Sequence, residues 1–148
     1  MTNVPIIMVS NDDKLGISLL LLRLGVFVVM IMWTLDKFLY PDHAAAVFAN
    51  FYMLEGLGEG AFYLIGTVQL VVVLGFVAGL FRAWTYGLVL AMHAISTFSS
   101  WKQYLDPFEN LLFFAAWPML AACVALFLLR RDDRLLNIDA WRERKSPD

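Results

Sequence analysis

The chain has 148 residues, of which 61% are hydrophobic and 16% charged, with a mean hydropathy of +0.70 and a formal net charge of -2. Soluble domains are about a quarter charged, so this composition places the chain in lipid as a single membrane domain, and its balance argues against nucleic acid as a partner. A lone cysteine, Cys123, excludes an intramolecular disulfide or a C-x-x-C thiol pair.

Met1 to Asp13 includes an apolar run, Val4 to Val9, but lacks the basic start and small-residue cleavage site of a secretory signal, so it is expected to be retained. Asn11, Asp12 and Asp13 are suited to cap a helix and face its positive end. The first predicted span, 15–39, is long enough to cross a bilayer, which takes about 20 apolar residues, yet it carries Arg23, Asp36 and Lys37. A charge at bilayer depth must snorkel, find a partner or line a wet cavity. Arg23 lies about 12 Å from the start of the helix by its rise, near enough to snorkel or to bond a loop carbonyl. Arg23, Met30 and Lys37 share a face at seven-residue steps.

Pro41-Asp42-His43 punctuates, and 44–54 reads as a short amphipathic helix at the interface, too short to cross. Glu55 to Gly60 reads as a flexible turn. The second span, 61–81, has Gln69 at mid-depth and Gly75 and Gly79 four apart, a spacing that suits close helix packing in lipid. Arg82 marks a tight turn, which makes the third span, 83–101, an antiparallel neighbour of the second. Asp106, Pro107 and Glu109 read as a capping box opening the fourth span, 107–129, in which Pro118 should bend the helix. A charged tail, 130–148, follows, with Leu135, Leu136, Ile138 and Trp141 suggesting a surface helix. The expected fold is an all-α bundle of four spans.

On the third span, Tyr86, His93, Thr97, Ser100 and Tyr104 fall within about 40° of one another at 100° per residue. Such a polar stripe should face the bundle interior and open outward. With Arg23, Asp36, Lys37 and Gln69 it outlines a pocket among the first three spans, with Gln69 the expected partner of a buried His93. Asp36 and Lys37 lie at an interface, where ionised side chains are ordinary, and Cys123 among alanines reads as packing. Two histidines, one of them in a span, argue against bis-histidine haem, and no metal site is evident.

Of the 11 lysines and arginines, Lys14, Arg82, Arg130, Arg131, Arg134, Arg142, Arg144 and Lys145 flank one side of the spans and only Lys37 and Lys102 the other. Both termini are therefore expected in the cytoplasm. Trp33, Tyr40, Tyr63, Trp101 and Tyr104 fall at the outer level and Trp84 and Tyr86 at the inner one.

Leu22-Arg23-Leu24-Gly25, then Thr34-Leu35-Asp36-Lys37-Phe38, a following proline, a short amphipathic segment and the run from Gly75 to Arg82 resemble the DoxX-like family of small four-helix membrane proteins. Arg23, Lys37 and Arg82 match the family's positions. Gln69 stands where the family often has glutamate, and Thr34 where it often has glycine. The resemblance implies a bacterial inner-membrane protein linked to redox systems, some members being small subunits of thiosulfate:quinone oxidoreductase. The reading favoured is a non-catalytic accessory or assembly subunit packed against other membrane subunits or a second copy of itself. The alternative is a protein that binds quinone, with His93 or Lys37 touching a carbonyl oxygen. A small transporter ranks third, because no internal repeat supports it.

Overall fold

The structure, a computed structural model, describes residues 10–145, so the Val4 to Val9 run lies outside it. All regular elements among the described residues are helical: α1 (Asn11–Leu39), α2 (Pro41–Tyr52), α3 (Glu59–Val77), α4 (Arg82–Ser99), α5 (Trp101–Tyr104), a 3-10 turn (Leu111–Ala115), α6 (Ala116–Leu128) and α7 (Ile138–Lys145). Three segments are long and apolar enough to cross a membrane: α1, α3 and the stretch from Leu111 to Leu128.

Helix α1 starts earlier than its apolar run because Ser10, rather than Asn11 to Asp13, is its cap. Ser10 Oγ accepts from the Asp13 amide at 3.1 Å, and the Asp13 carboxylate accepts from the Ser10 amide at 3.2 Å. The face of α1 that repeats near every seventh residue is the buried one: Gly16, Leu19, Arg23, Val26, Met30, Thr34 and Lys37. It packs on α3, where a Cβ on Gly66 would lie 2.9 Å from the Phe38 ring and 3.3 Å from Lys37 Cβ. Gly66 is thus the small residue on which α1 and α3 cross.

Pro41 opens α2 at its first position, where a missing amide hydrogen costs nothing. Helix α2 folds back on α1 and α3. Helix α3 ends at Val77, so the glycine pair divides its work differently from the predicted helix face. Gly75 lets α4 approach, with Thr85 Cγ2 3.0 Å from where a Cβ would stand. Gly79 is in the turn at φ +65°, and the Asn137 side chain occupies the space a Cβ would need.

Helix α4 packs between α3 and α6. It buries Arg82, Thr85, Tyr86, Val89, His93 and Thr97, while its exposed positions are Ala83, Trp84, Leu88, Ala91, Ile95 and Phe98. Its polar groups are thus turned inward and its fully exposed positions are apolar. The predicted capping box at Asp106 does not form. Residues 106–110 make a turn in which Asn110 Nδ2 donates to the Asp106 carbonyl at 2.9 Å, and the helix begins at Leu111 as a 3-10 turn. Pro118 falls in the first turn of α6, just after the change of helix type, so it marks a junction rather than a kink in mid-span.

The core holds Leu19, Val26, Met30, Val73, Phe76, Tyr86, Val89, Cys123 and Leu126. The tail is not a free surface helix. The amides of Ile138 and Asp139 donate to the carbonyls of Ala78 and Gly79 at 3.0 and 3.1 Å, and Leu135 packs against Gly16. The start of α1, the α3–α4 turn and the tail therefore share one end of the bundle, called here the tail end. Helix α2 and α5 lie at the other, the α2 end.

Candidate functional site

The sequence-predicted pocket residues divide among three places. Arg23 is at the tail end, fully buried at 0% exposure. Its Nη1 lies 3.3 Å from Asp133 Oδ2 and donates to Tyr86 Oη at 3.2 Å, while its Nη2 donates to the carbonyls of Leu135 and Leu136 at 2.6 and 3.0 Å. Tyr86 Oη in turn donates to Asp133 Oδ2 at 2.6 Å, and Asn137 Nδ2 donates to Tyr86 Oη at 3.4 Å. Leu136 sits at φ +46°, an unfavourable conformation for a branched side chain, at the bend where these two carbonyls converge on Arg23.

Arg82 ties the same end to the tail. Its Nη1 donates to the Arg130 carbonyl at 2.9 Å, its backbone amide donates to Asp139 Oδ2 at 2.9 Å, and its Nη2 pairs with Glu143. Arg23 therefore does bond loop carbonyls, but it takes no part in a ligand pocket with Lys37. Asp133, also at 0% exposure, is the partner that sequence reasoning missed. The available signal was an acid flanked by Arg130, Arg131 and Arg134 just before the apolar Leu135-Leu136 step.

At the α2 end lies a cavity of about 590 Å³ walled by α1, α2, α3 and α4 with Phe113, and Asp36, Lys37, Gln69, Ser96 and Ser100 are among its lining residues. Lys37 Nζ donates to the Trp33 carbonyl at 2.9 Å and stands 5.8 Å from the centre of the Phe48 ring. Both Asp36 carboxylate oxygens lie 2.9 Å from His43 Nδ1, joining α1 to α2.

His93 belongs elsewhere. It lines a groove of about 950 Å³ between α1 and α6, whose other residues include Leu22, Gly25, Val29, Trp33, Ala116, Pro118 and Met119. His93 is 1% exposed, and its Nε2 lies 3.0 Å from the Ala116 carbonyl rather than against Gln69. A backbone carbonyl only accepts, so Nε2 carries the proton and Nδ1 of the neutral ring is an acceptor. That Nδ1 is buried without a partner among the described residues, and the Trp33 ring packs on the imidazole with centroids 5.9 Å apart. Thr97 is buried one turn away, its hydroxyl donating to the His93 carbonyl at 2.8 Å and standing 3.4 Å from Nε2. Depth alone had suggested Gln69 for His93, but Gln69 lines the other cavity. Trp33, Ser96, Ser100 and Phe113 line both spaces, which are therefore neighbours. Beyond α4, Tyr104 donates to the Thr97 carbonyl at 3.0 Å, and burial pushes its hydroxyl pKa up.

Chemically, most charges at the tail end answer one another or carbonyls, although Arg23 Nε and Asp133 Oδ1 are buried without a partner among the described residues. The α1–α6 groove, which runs from Ser18 to Trp33 along α1, and the cavity at the α2 end are largely apolar with a few polar groups in their walls, the usual make-up of small-molecule sites. Among the described residues no three His, Cys, Asp or Glu side chains are grouped to hold a metal ion. Comparison with family models, curated proteins and solved structures finds no match to this chain.

Proposed function

We propose that this chain is a DoxX-like, four-span protein of the bacterial plasma membrane that holds a quinone-class molecule in the α1–α6 groove as an accessory subunit of a membrane redox complex. The observation that carries the binding part is His93, a buried imidazole whose Nδ1 acceptor is unmet in the wall of an apolar groove. A buried acceptor without a partner costs about 1–3 kcal/mol, and a ligand hydroxyl would recover that. Because the unmet atom accepts, the fitting head group is the hydroxyl of a quinol rather than the carbonyl of a quinone. Trp33 packs on the imidazole and lines the same groove.

Two observations support α4 as the fourth span. The start of α1 and the tail meet at one end, which requires an even number of crossings, and α4 shows only apolar residues outward. The basic residues that gather at that end support cytoplasmic termini. Reporter fusions at Lys102 and Lys145 should score outside and inside respectively, and a Lys145 fusion scored outside would refute that orientation. For the groove, the test is thermal unfolding of the purified protein in detergent with a short-chain quinol or its quinone. The quinol should raise the melting temperature more, and His93→Leu should abolish the difference. Equal shifts in wild type and His93→Leu would refute the role given to His93.

A further inference from the structure

The cavity beneath α2 is separate from the groove and has its own unmet chemistry. Lys37 is 9% exposed, and its Nζ has one partner, the Trp33 carbonyl. An ammonium has three hydrogens to donate, and a desolvated one calls for a negative partner. The adjacent carboxylate does not supply it. Asp36 is held by His43 on α2, and no carboxylate of the described residues lies within 4.0 Å of Lys37 Nζ. Gln69 is likewise 9% exposed and lines the same cavity, and its side-chain amide makes no hydrogen bond among the described residues. Around these two stand aromatic rings, Phe48 and Trp33 among them. Both line one chamber of about 590 Å³ whose walls are mostly apolar, a size that suits a small organic molecule.

We infer that this cavity binds a small amphipathic monocarboxylate, with the carboxylate between Lys37 Nζ and the Gln69 amide and the apolar body against the aromatic wall. A single ammonium answers a single negative charge, so a monoanion is matched where a dianion would carry an unpaired charge into the cavity. The Asp36 carboxylate at the rim disfavours a second negative charge as well. Helix α2, joined to α1 through the Asp36–His43 contact, forms the roof.

The test uses the full-length protein in detergent, with a terminally brominated octanoate and the matching brominated octanol as heavy-atom quenchers of tryptophan fluorescence. Trp33 lines the cavity, so the acid should quench saturably, and Trp33→Phe should remove the saturable part. Lys37→Met should weaken the acid's apparent affinity by about ten-fold or more, as expected for loss of a charged hydrogen bond. Lys37→Arg should restore most of it, and His93→Leu should leave it unchanged, which keeps this site distinct from the groove. Saturable quenching by the alcohol at the same midpoint as the acid would overturn the proposal, as would an unchanged midpoint in a folded Lys37→Met protein. Should Lys37→Met not fold, Gln69→Leu and the acid–alcohol contrast on wild type decide the matter on the same terms.

Discussion

The two ends of this bundle solve the same problem in opposite ways. Each carries a buried cation from α1, Arg23 at the tail end and Lys37 at the α2 end, on one helix face. Arg23 is met by a carboxylate, a phenol and two carbonyls supplied from more than sixty residues away. Lys37 is met by one carbonyl four residues back on its own helix and faces a cavity. A buried cation that the fold pairs with a carboxylate is a structural tie, even though Arg23 Nε and Asp133 Oδ1 find no partner among the described residues; one that the fold leaves without a counter-charge is a place for something else to bind. The tail end therefore reads as a clasp and the α2 end as the working half.

The largest effect should come from unbalancing the clasp. Arg23→Met or Asp133→Leu alone strands a buried charge and should destabilise by about 3–5 kcal/mol, read as thermal or denaturant unfolding in detergent. The double variant should recover most of that loss, because replacing a whole buried pair by apolar groups is often close to neutral. If the double variant were as unstable as the sum of the singles, the coupling between the two residues would be absent and the clasp reading wrong.

Smaller effects should follow at the glycines. Gly79→Leu sets a branched side chain at positive φ, a penalty of about 1–2 kcal/mol before the collision with Asn137 is counted. Gly75→Leu would drive into Thr85, whereas Gly58 meets nothing within 4 Å and Gly58→Leu should scarcely move the melting temperature. Equal shifts at all three positions would remove the close-approach account. At the working half, His93→Leu gives up one bond to the Ala116 carbonyl, about 1 kcal/mol, and should remain folded.

The contrast between the ends also marks what the sequence could reveal. Hydropathy and length exposed α1, α3 and the final span, and the seven-residue spacing of Arg23, Met30 and Lys37 identified the buried face of α1. Local pattern was enough there because lipid imposes it residue by residue. The partner of Arg23 was not legible, since Asp133 is 110 positions away and lies in a tail whose charges suggest solvent. The glycine pair misled for a related reason: a spacing of four implies one helix face only if the helix continues, and α3 stops at Val77. Asp106 and Glu109 matched a helix start, yet Asn110 engages the Asp106 carbonyl and holds a turn there instead. Similar depth suggested that Gln69 and His93 meet, but Gln69 lines the cavity beneath α2 and His93 the groove, where it bonds the Ala116 carbonyl instead.

The central claim is that binding belongs to the His93 groove and the Lys37 cavity and that the clasp only holds the fold. Mass spectrometry of the apolar molecules extracted from gently purified wild-type, His93→Leu and Arg23→Met/Asp133→Leu proteins tests it most directly. A quinone-class molecule should copurify with wild type and with the double clasp variant and be lost from folded His93→Leu. The same molecule retained in folded His93→Leu, or lost from a folded clasp variant, would contradict the account.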